Sequence, residues 1–390
     1  MSRIVLASLA GRNTSSDDLM LAGALLALEE AAPAVRITSV VTDPHTAGAA
    51  SDASTRYVEG PWRTLDRLSR SLVGPMRDRR LARAAIGLAG SAQWAAALAG
   101  ADLLLFAGGG YLNGNGAVPT LGAWLLAESA SNQGVPWAVV GHSVGPFREA
   151  ASSLRAKRIL EGAAAVALRE PRSAWEATSI LPGVRPQVTG DLSLLVPQQP
   201  APPSDPEKPL LAVCARGLPL RPFPPIILEP EFTLGDAVTM VARGLRARVA
   251  FVESAAPPAH DDRAANERFD RTVQPDVERA DQVAFRAGGL ELPPVSLVVT
   301  GSYHVCLRAL ARGTPAIAIA TSEFSRHMLR GLFELFGRAD WVWTPELGIP
   351  DLVEMGLTAA GRPRSEELRE VAADLADRQR GWLARHALTS

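Results

Sequence analysis

Nine short apolar runs recur along this chain with helical stretches between them, and that alternation restricts the fold more than any other feature. The runs are Arg3–Leu9, Val35–Val41, Asp102–Ala107, Trp137–Val140, Ala164–Leu168, Leu210–Ala215, Val249–Val252, Val295–Thr300 and Ala316–Ala320. Their apolar character is mostly continuous rather than alternating, as expected of strands covered on both faces. The intervening stretches Asp17–Glu30, Val118–Gln133 and Tyr303–Arg312 carry helical periodicity. Strand–helix alternation of this kind predicts parallel sheets joined by right-handed crossovers.

At 390 residues the chain is long enough for two or three domains of ~150 residues each. The sharpest change in composition is Val196–Pro209, VPQQPAPPSDPEKP, whose prolines remove backbone donors and fix φ. That segment predicts a domain at 1–196, a linker at 197–209 and a second domain at 210–360. A second proline-rich loop, Pro219–Pro230, follows the first strand of the second domain. The remaining segment, 361–390, holds a helix over Ser365–His386, with Ser365 placed to cap it and Glu366 and Glu367 in its first turn. A helix in that position is expected to pack back on the N-terminal domain.

Lys+Arg total 40 against Asp+Glu 41, which disfavours a surface built to grip nucleic acid or acidic lipid. Aromatic residues are 5% of the chain, few for stacking bases. Only Lys157 and Lys208 are lysines, and neither follows a strand, so Schiff-base chemistry is disfavoured. Cys214 and Cys306 lie in apolar runs without a CxxC, which reads as two buried, reduced thiols and a cytoplasmic protein. No apolar run reaches the ~18 residues of a membrane span, and the N-terminus MSRIVLASLAG reads as a first strand and turn rather than a leader.

In open parallel sheets ligands bind beyond the carboxyl ends of strands, so the residues following each run are the candidates. These are Gly11–Asp18, Gly108–Gly116 (GGGYLNGNG), Gly141–Phe147 (GHSVGPF), Arg169–Ser173 (REPRS), Asp191 in TGDLS, Arg216, His260–Asp262, and Gly301–His304 (GSYH). Glycines 108–110 permit close backbone approach. GSYH opens a helix, where Ser302 is placed to cap and the free first-turn amides form an anion site beside His304. Arg169 and Arg216, each ending a strand, carry the guanidinium geometry for phosphate and carboxylate. Arg326 lies beyond the run Ala316–Ala320. His260, Asp261 and Asp262 could ligate a cation or serve the acceptor, but adjacent loop residues usually point different ways, so no metal cluster and no cofactor is read.

Taken in order, these segments resemble the polysaccharide pyruvyl transferase family from Asn13 to about Gly337. The family's N-x-G-D-like start corresponds to Asn13–Asp17 or Asp18, without the glycine. Its GGG loop matches Gly108–Gly110, its G-Q-G-x-G-P turn matches GHSVGP with His142 and Ser143 substituted, and its R-[DE]-x-x-S turn matches Arg169–Ser173. Asp191, a strand ending in Arg216, and the helix start Ser302-Tyr303-His304 followed by Ala309, Gly313 and Pro315 complete the set. Ser302 stands where the family's R-L-H has its arginine. Arg308, one turn along the same helix, and Arg326 are the candidates to replace that charge.

The resemblance implies two Rossmann-like domains facing a cleft in the manner of GT-B enzymes. It implies transfer of the enolpyruvyl group of phosphoenolpyruvate to sugar hydroxyls as a pyruvate ketal. His304 would be the general acid/base, and Arg169 and Arg216 the cations on phosphate and carboxylate. Asn13, Asp17, Gly109, Gly110, Tyr111, Asn113, His142, Ser143, Asp191, Ser302, Tyr303, Arg308 and Arg326 would line the substrate sites, the acceptor lying on the N-terminal side. Two alternatives stay open: a nucleotide-sugar glycosyltransferase, in which Arg308 would stand where an acid grips ribose, and a non-catalytic sugar- or anion-binding protein.

Overall fold

The computed structural model describes residues 2–12, 14–48, 55–71, 80–81, 84, 93–114, 117–198, 205, 207–220, 232–256, 260–282, 292–362 and 365–386. Of the segments singled out in the sequence, Asn13, Asn115, Gly116, most of the 197–209 linker and most of the Pro219–Pro230 loop lie outside the described residues. The chain divides into two compact units, one of Met1–Arg12, Ser16–Val196 and Leu375–Ser390, the other of Asn13–Ser15 and Pro197–Asp374.

In the first unit the elements run β1 (Arg3–Ala7), α1 (Ser15–Ala31), β2 (Arg36–Val41), α2 (Pro44–Gly48), β3 (Arg56–Glu59), α3 (Pro61–Ser71), α4 (Gln93–Leu98), β4 (Leu103–Leu112), α5 (Ala117–Asn132), β5 (Trp137–Val144), α6 (Ala150–Glu161), β6 (Ala163–Leu168), α7 (Pro171–Ile180) and β7 (Gln187–Val188). All seven strands pair in parallel, in the order β3-β2-β1-β4-β5-β6-β7. Val5, Ala7, Leu104 and Phe106 join one core with Trp62 of α3, Trp94 of α4 and Leu121 of α5. Their strand neighbours Ile4, Leu6, Leu103 and Leu105, on the opposite face of the pleat, are as fully buried. Burial on both faces is why these strands read as unbroken apolar runs.

The second unit holds β8 (Leu210–Cys214), α8 (Leu234–Leu245), β9 (Arg248–Phe251), α9 (Asp262–Asp270), β10 (Leu297–Thr300), α10 (Tyr303–Ala311), β11 (Ala316–Ile319), α11 (Glu323–Leu335), β12 (Val342–Trp343) and α12 (Gly348–Ala360). Its parallel sheet runs β12-β11-β10-β8-β9. Helix α8 shows how local sequence builds these elements. Thr233 and Asp236 form a reciprocal capping box, and the buried Leu234, Ala237, Val238, Val241 and Ala242 repeat at helical spacing along one stripe. Gly356 of α12 packs against Val241 on that stripe.

Both sheets reverse strand order once. In the first unit the chain winds outward from β1 through β2 to β3, then returns to place β4 on the other side of β1. In the second it goes from β8 to β9 and returns to place β10 on the other side of β8. The crevices between β1 and β4, and between β8 and β10, are therefore topological switch points, where open α/β sheets bind ligands.

Helix α13 (Glu366–His386) begins with the Ser365 hydroxyl accepting from the Leu368 amide at 3.3 Å. From Leu375 onward it belongs to the first unit. There Leu375 covers Gly190, and the Gln379 amide donates to the carbonyls of Gly190 at 2.8 Å and Thr189 at 2.9 Å. Among the described residues no helix is long and apolar enough to cross a membrane.

Candidate functional site

The glycine-rich segments of the first unit are strand, not loop. β4 runs through GGGYL to Leu112 and β5 through GHSV to Val144, with Gly109 opposite His142 and Leu112 opposite Val144. Positive φ at Gly108 (69°) and Gly109 (120°) creates an irregularity that the ladder absorbs before pairing resumes. The sequence predicts Tyr111, Asn113, His142 and Ser143 in open loops. The structure buries all four: Tyr111 and Asn113 are 3% exposed and the other two 0%.

Tyr111 and His142 meet edge to face, ring centroids 4.5 Å apart and planes at 86°. The Tyr111 hydroxyl is buried without a hydrogen-bond partner. Burial, then the charge of Arg169, lowers the His142 pKa to about 3, against a weaker opposing pull from the carbonyls of Gly109 and Phe106. His142 is therefore a neutral ring at physiological pH.

Beside it, Arg169 is 2% exposed and sits between two fully buried carboxylates. Its Nε lies 3.0 Å from Glu170 and donates to the Ser143 hydroxyl at 2.5 Å, and its Nη1 donates to Asp191 at 3.1 Å. Ser143 and Ser173 both donate to Glu170, and the Ser173 hydroxyl accepts from the Val144 amide at 2.9 Å. Asp191 accepts from the amide (2.9 Å) and hydroxyl (2.6 Å) of Ser193. The segments GHSVGP, REPRS and TGDLS, separate in the sequence, thus form one buried polar network that fixes the ends of β5, β6 and β7. Burial pushes the Glu170 carboxyl up, while Arg169 and the two hydroxyls pull it back. Asp17 and Asp18 occupy the first turn of α1 and are half-buried, and Asp18 accepts from the Gly11 amide at 3.0 Å.

In the second unit three strand ends converge at the switch point. The Thr300 hydroxyl at the end of β10 donates to the Cys214 carbonyl at the end of β8 at 2.9 Å, and accepts from the Ser302 amide at 3.0 Å. A Cβ on Gly301 would stand 3.3 Å from the carbonyl oxygens of both Arg216 and Ile319, so the segments after β8, β10 and β11 touch there. Arg216 spans Asp262, Nε to Oδ1 at 2.8 Å and Nη2 to Oδ2 at 2.9 Å, and also donates to Ser254. Asp262, 0% exposed, holds the amides of Ser254 (2.8 Å) and Ala255 (2.9 Å) as well. The Arg216 side chain keeps 23% of its surface exposed.

The expectation that the Ser302 hydroxyl caps α10 is not met. The residue takes the extended N-cap conformation, but no side-chain capping bond forms. Its own amide is drawn instead to Thr300. His304 lies on that turn, half-buried, its ring 5.1 Å from that of Tyr303. Arg308 is 4% exposed, and Arg326 pairs with Glu346 at 2.7 Å. Among the described residues no three His, Cys, Asp or Glu side chains gather as a metal site. In the candidate triplet, Asp261 caps α9 and Asp262 serves Arg216. Asp262 is the partner of Arg216 that sequence reasoning did not foresee, although its place at a helix start beyond β9 marked it.

Two parallel α/β units of this kind define the GT-B class of fold, and solved structures bear this out. A putative UDP-N-acetylglucosamine 2-epimerase from Listeria monocytogenes matches with TM-score 0.55 at 13% identity, covering 99% of this chain and 94% of its own. Arabidopsis thaliana UGT89C1 complexed with UDP-L-rhamnose matches with TM-score 0.57 at 10% identity, covering 98% of each chain. UDP-GlcNAc 2-epimerase from Neisseria meningitidis bound to UDP-GlcNAc gives 0.51 at 10%, covering 97% and 99%. No curated protein matches the sequence. The family model of the polysaccharide pyruvyl transferases matches residues 17–273, well over half of the chain, and the chain belongs to that family of transferases. Arg169, Arg216 and Asp262 fall within the match; His304 lies beyond it.

Proposed function

We propose that the chain transfers the enolpyruvyl group of phosphoenolpyruvate to a sugar or glycan, forming a pyruvate ketal. Protonation of donor C3 makes C2 electrophilic, and one acceptor hydroxyl adds there. Phosphate leaves, and a second hydroxyl closes the ketal. One hydroxyl proton replaces the proton spent at C3, and the other leaves with phosphate. His304 supplies and recovers the proton, and Arg216 with the amides opening α10 holds the donor's phosphate and carboxylate. Arg308 and Arg326 are placed on helices following β10 and β11, the first buried and the second already facing Glu346. Arg169 acts as a positioning residue, its charge committed to Glu170 and Asp191.

The observation that carries this reading is the second unit's switch point. There the backbone of Arg216, whose partly exposed guanidinium is fixed by a buried carboxylate, touches Gly301 just before a helix whose first turn bears an imidazole. The residues suit a small dianionic donor. The test is phosphate release from phosphoenolpyruvate over a panel of sugar acceptors, with His304→Gln and Arg216→Gln as controls. Acceptor-dependent release, lost in both variants, is the expected result. Thermal stabilisation by a nucleoside diphosphate with none by phosphoenolpyruvate would overturn it in favour of a nucleotide-sugar donor.

A further inference from the structure

We infer that Asp262 is a positioning residue: it fixes the Arg216 guanidinium by one edge, so that a ligand meets Nη1 alone. The ligand's identity as the donor rests on the pyruvyl-transfer reading, whereas the geometry lies wholly within the second unit. A guanidinium carries five N–H groups, one on Nε and two on each Nη. Nε lies 2.8 Å from Oδ1 of Asp262, and Nη2 donates to Oδ2 at 2.9 Å and to the Ser254 hydroxyl. That edge is taken, and among the described residues no bond reaches Nη1. The side chain as a whole stays partly exposed. Arg216 therefore contacts a ligand through one nitrogen and cannot close a two-nitrogen fork on a carboxylate or phosphate.

The charge on Asp262 answers to the guanidinium rather than to the backbone around it. Asp262 and Asn266 stand one turn apart on α9, and both are fully buried. Asn266, which carries no charge, already ties the ends of β8 and β9 together. Its side chain accepts from the Ala215 amide at 2.9 Å and donates to the Val252 carbonyl at 3.0 Å. Asp262 holds the next positions along the same two segments: the Arg216 side chain after β8, and the amides of Ser254 and Ala255 after β9. A neutral amide suffices where only backbone is held. A buried carboxylate is stable one turn earlier because a cation neutralises it and hydrogen bonds fill its remaining lone pairs. Ordering a long arginine side chain weakens affinity when it happens on binding. Here it happens on folding, and Nη1 is already in place when the ligand arrives.

The test is a double-mutant cycle of wild type, Asp262→Asn, Arg216→Gln and the double variant. It is read by calorimetric titration of phosphoenolpyruvate and by the Nε–H signal of Arg216 in heteronuclear NMR, identified by its loss in Arg216→Gln. In ligand-free wild type that signal should be rigid and slow to exchange with water, and in Asp262→Asn it should be mobile. Asp262→Asn should weaken phosphoenolpyruvate binding about tenfold, and should weaken it no further in the Arg216→Gln background. Unchanged affinity in Asp262→Asn would overturn the role. So would an equal loss in both backgrounds, since a residue that only supports the fold acts whether or not Arg216 is present. A mobile Arg216 signal in ligand-free wild type would overturn it as well, whether or not Asp262→Asn folds. A rigid signal lost in Asp262→Asn, with no phosphoenolpyruvate binding by wild type, would instead support the role and overturn the donor reading.

Discussion

Arg169 and Arg216 each end a strand, and each faces a buried aspartate, yet their surroundings give them different work. Arg169 is enclosed by two carboxylates and two serines, with 2% of its surface exposed. Arg216 leans on a single carboxylate and keeps 23% of its side chain open, at the end of a strand that borders a switch point. A guanidinium sealed among fixed acceptors stabilises and positions. One anchored on a single side retains donors for a ligand.

The comparison breaks most visibly at Arg169. Removing it leaves Glu170 and Asp191 buried without their cation, a loss of ~3–5 kcal/mol. Arg169→Ala is expected to unfold at markedly lower urea concentration than wild type. Arg169→Lys should restore only part of the loss, because one ammonium cannot face both carboxylates as the planar fork does. A stable Arg169→Ala protein with weakened phosphoenolpyruvate binding would reverse the two roles.

His304→Gln should lower kcat by ~10²–10⁴-fold with little change in stability, read from steady-state rates and thermal unfolding together. Arg216→Gln should cost ~10²–10³-fold in kcat/KM. Its stability should also fall, because Asp262 is buried and loses its cation, but by less than at Arg169, because Asp262 keeps the amides of Ser254 and Ala255.

The smallest effect concerns pH. His142 folds with its pKa at about 3, below the ordinary 6.5, because the ring is buried and near Arg169. Between those values the unfolded chain binds more protons than the native one. The His142 contribution is therefore complete above pH 6.5 and is lost as pH falls. At pH 5 the loss is about 2 kcal/mol. His142→Gln should flatten that part of the pH–stability curve in urea titrations between pH 7 and pH 5.

The fold class was legible because each strand is buried on both faces and announces itself locally. β1, β2, β6, β8, β9, β10 and β11 fall within a residue or two of the apolar runs that mark them. The short outer strands β3, β7 and β12 carry too few residues for a pattern. The extensions of β4 and β5 were hidden because glycine favours turns locally, and only pairing across the sheet makes GGG and GHS strand. The same limit applies at the site. Arg216 and GSYH were marked by their places after strands, whereas the burial of Arg169 depends on Asp191, 22 residues away along the chain. The Ser302 cap does not form although Ser302 takes the extended N-cap conformation.

Calorimetric titration of phosphoenolpyruvate into wild type and Arg216→Gln is the most direct measurement, with thermal unfolding of both proteins alongside. Wild type is expected to bind and Arg216→Gln to bind at least about tenfold more weakly, a difference of ~1.4 kcal/mol, with both proteins folded at the temperature of the titration. Equal affinity in the two proteins would contradict it.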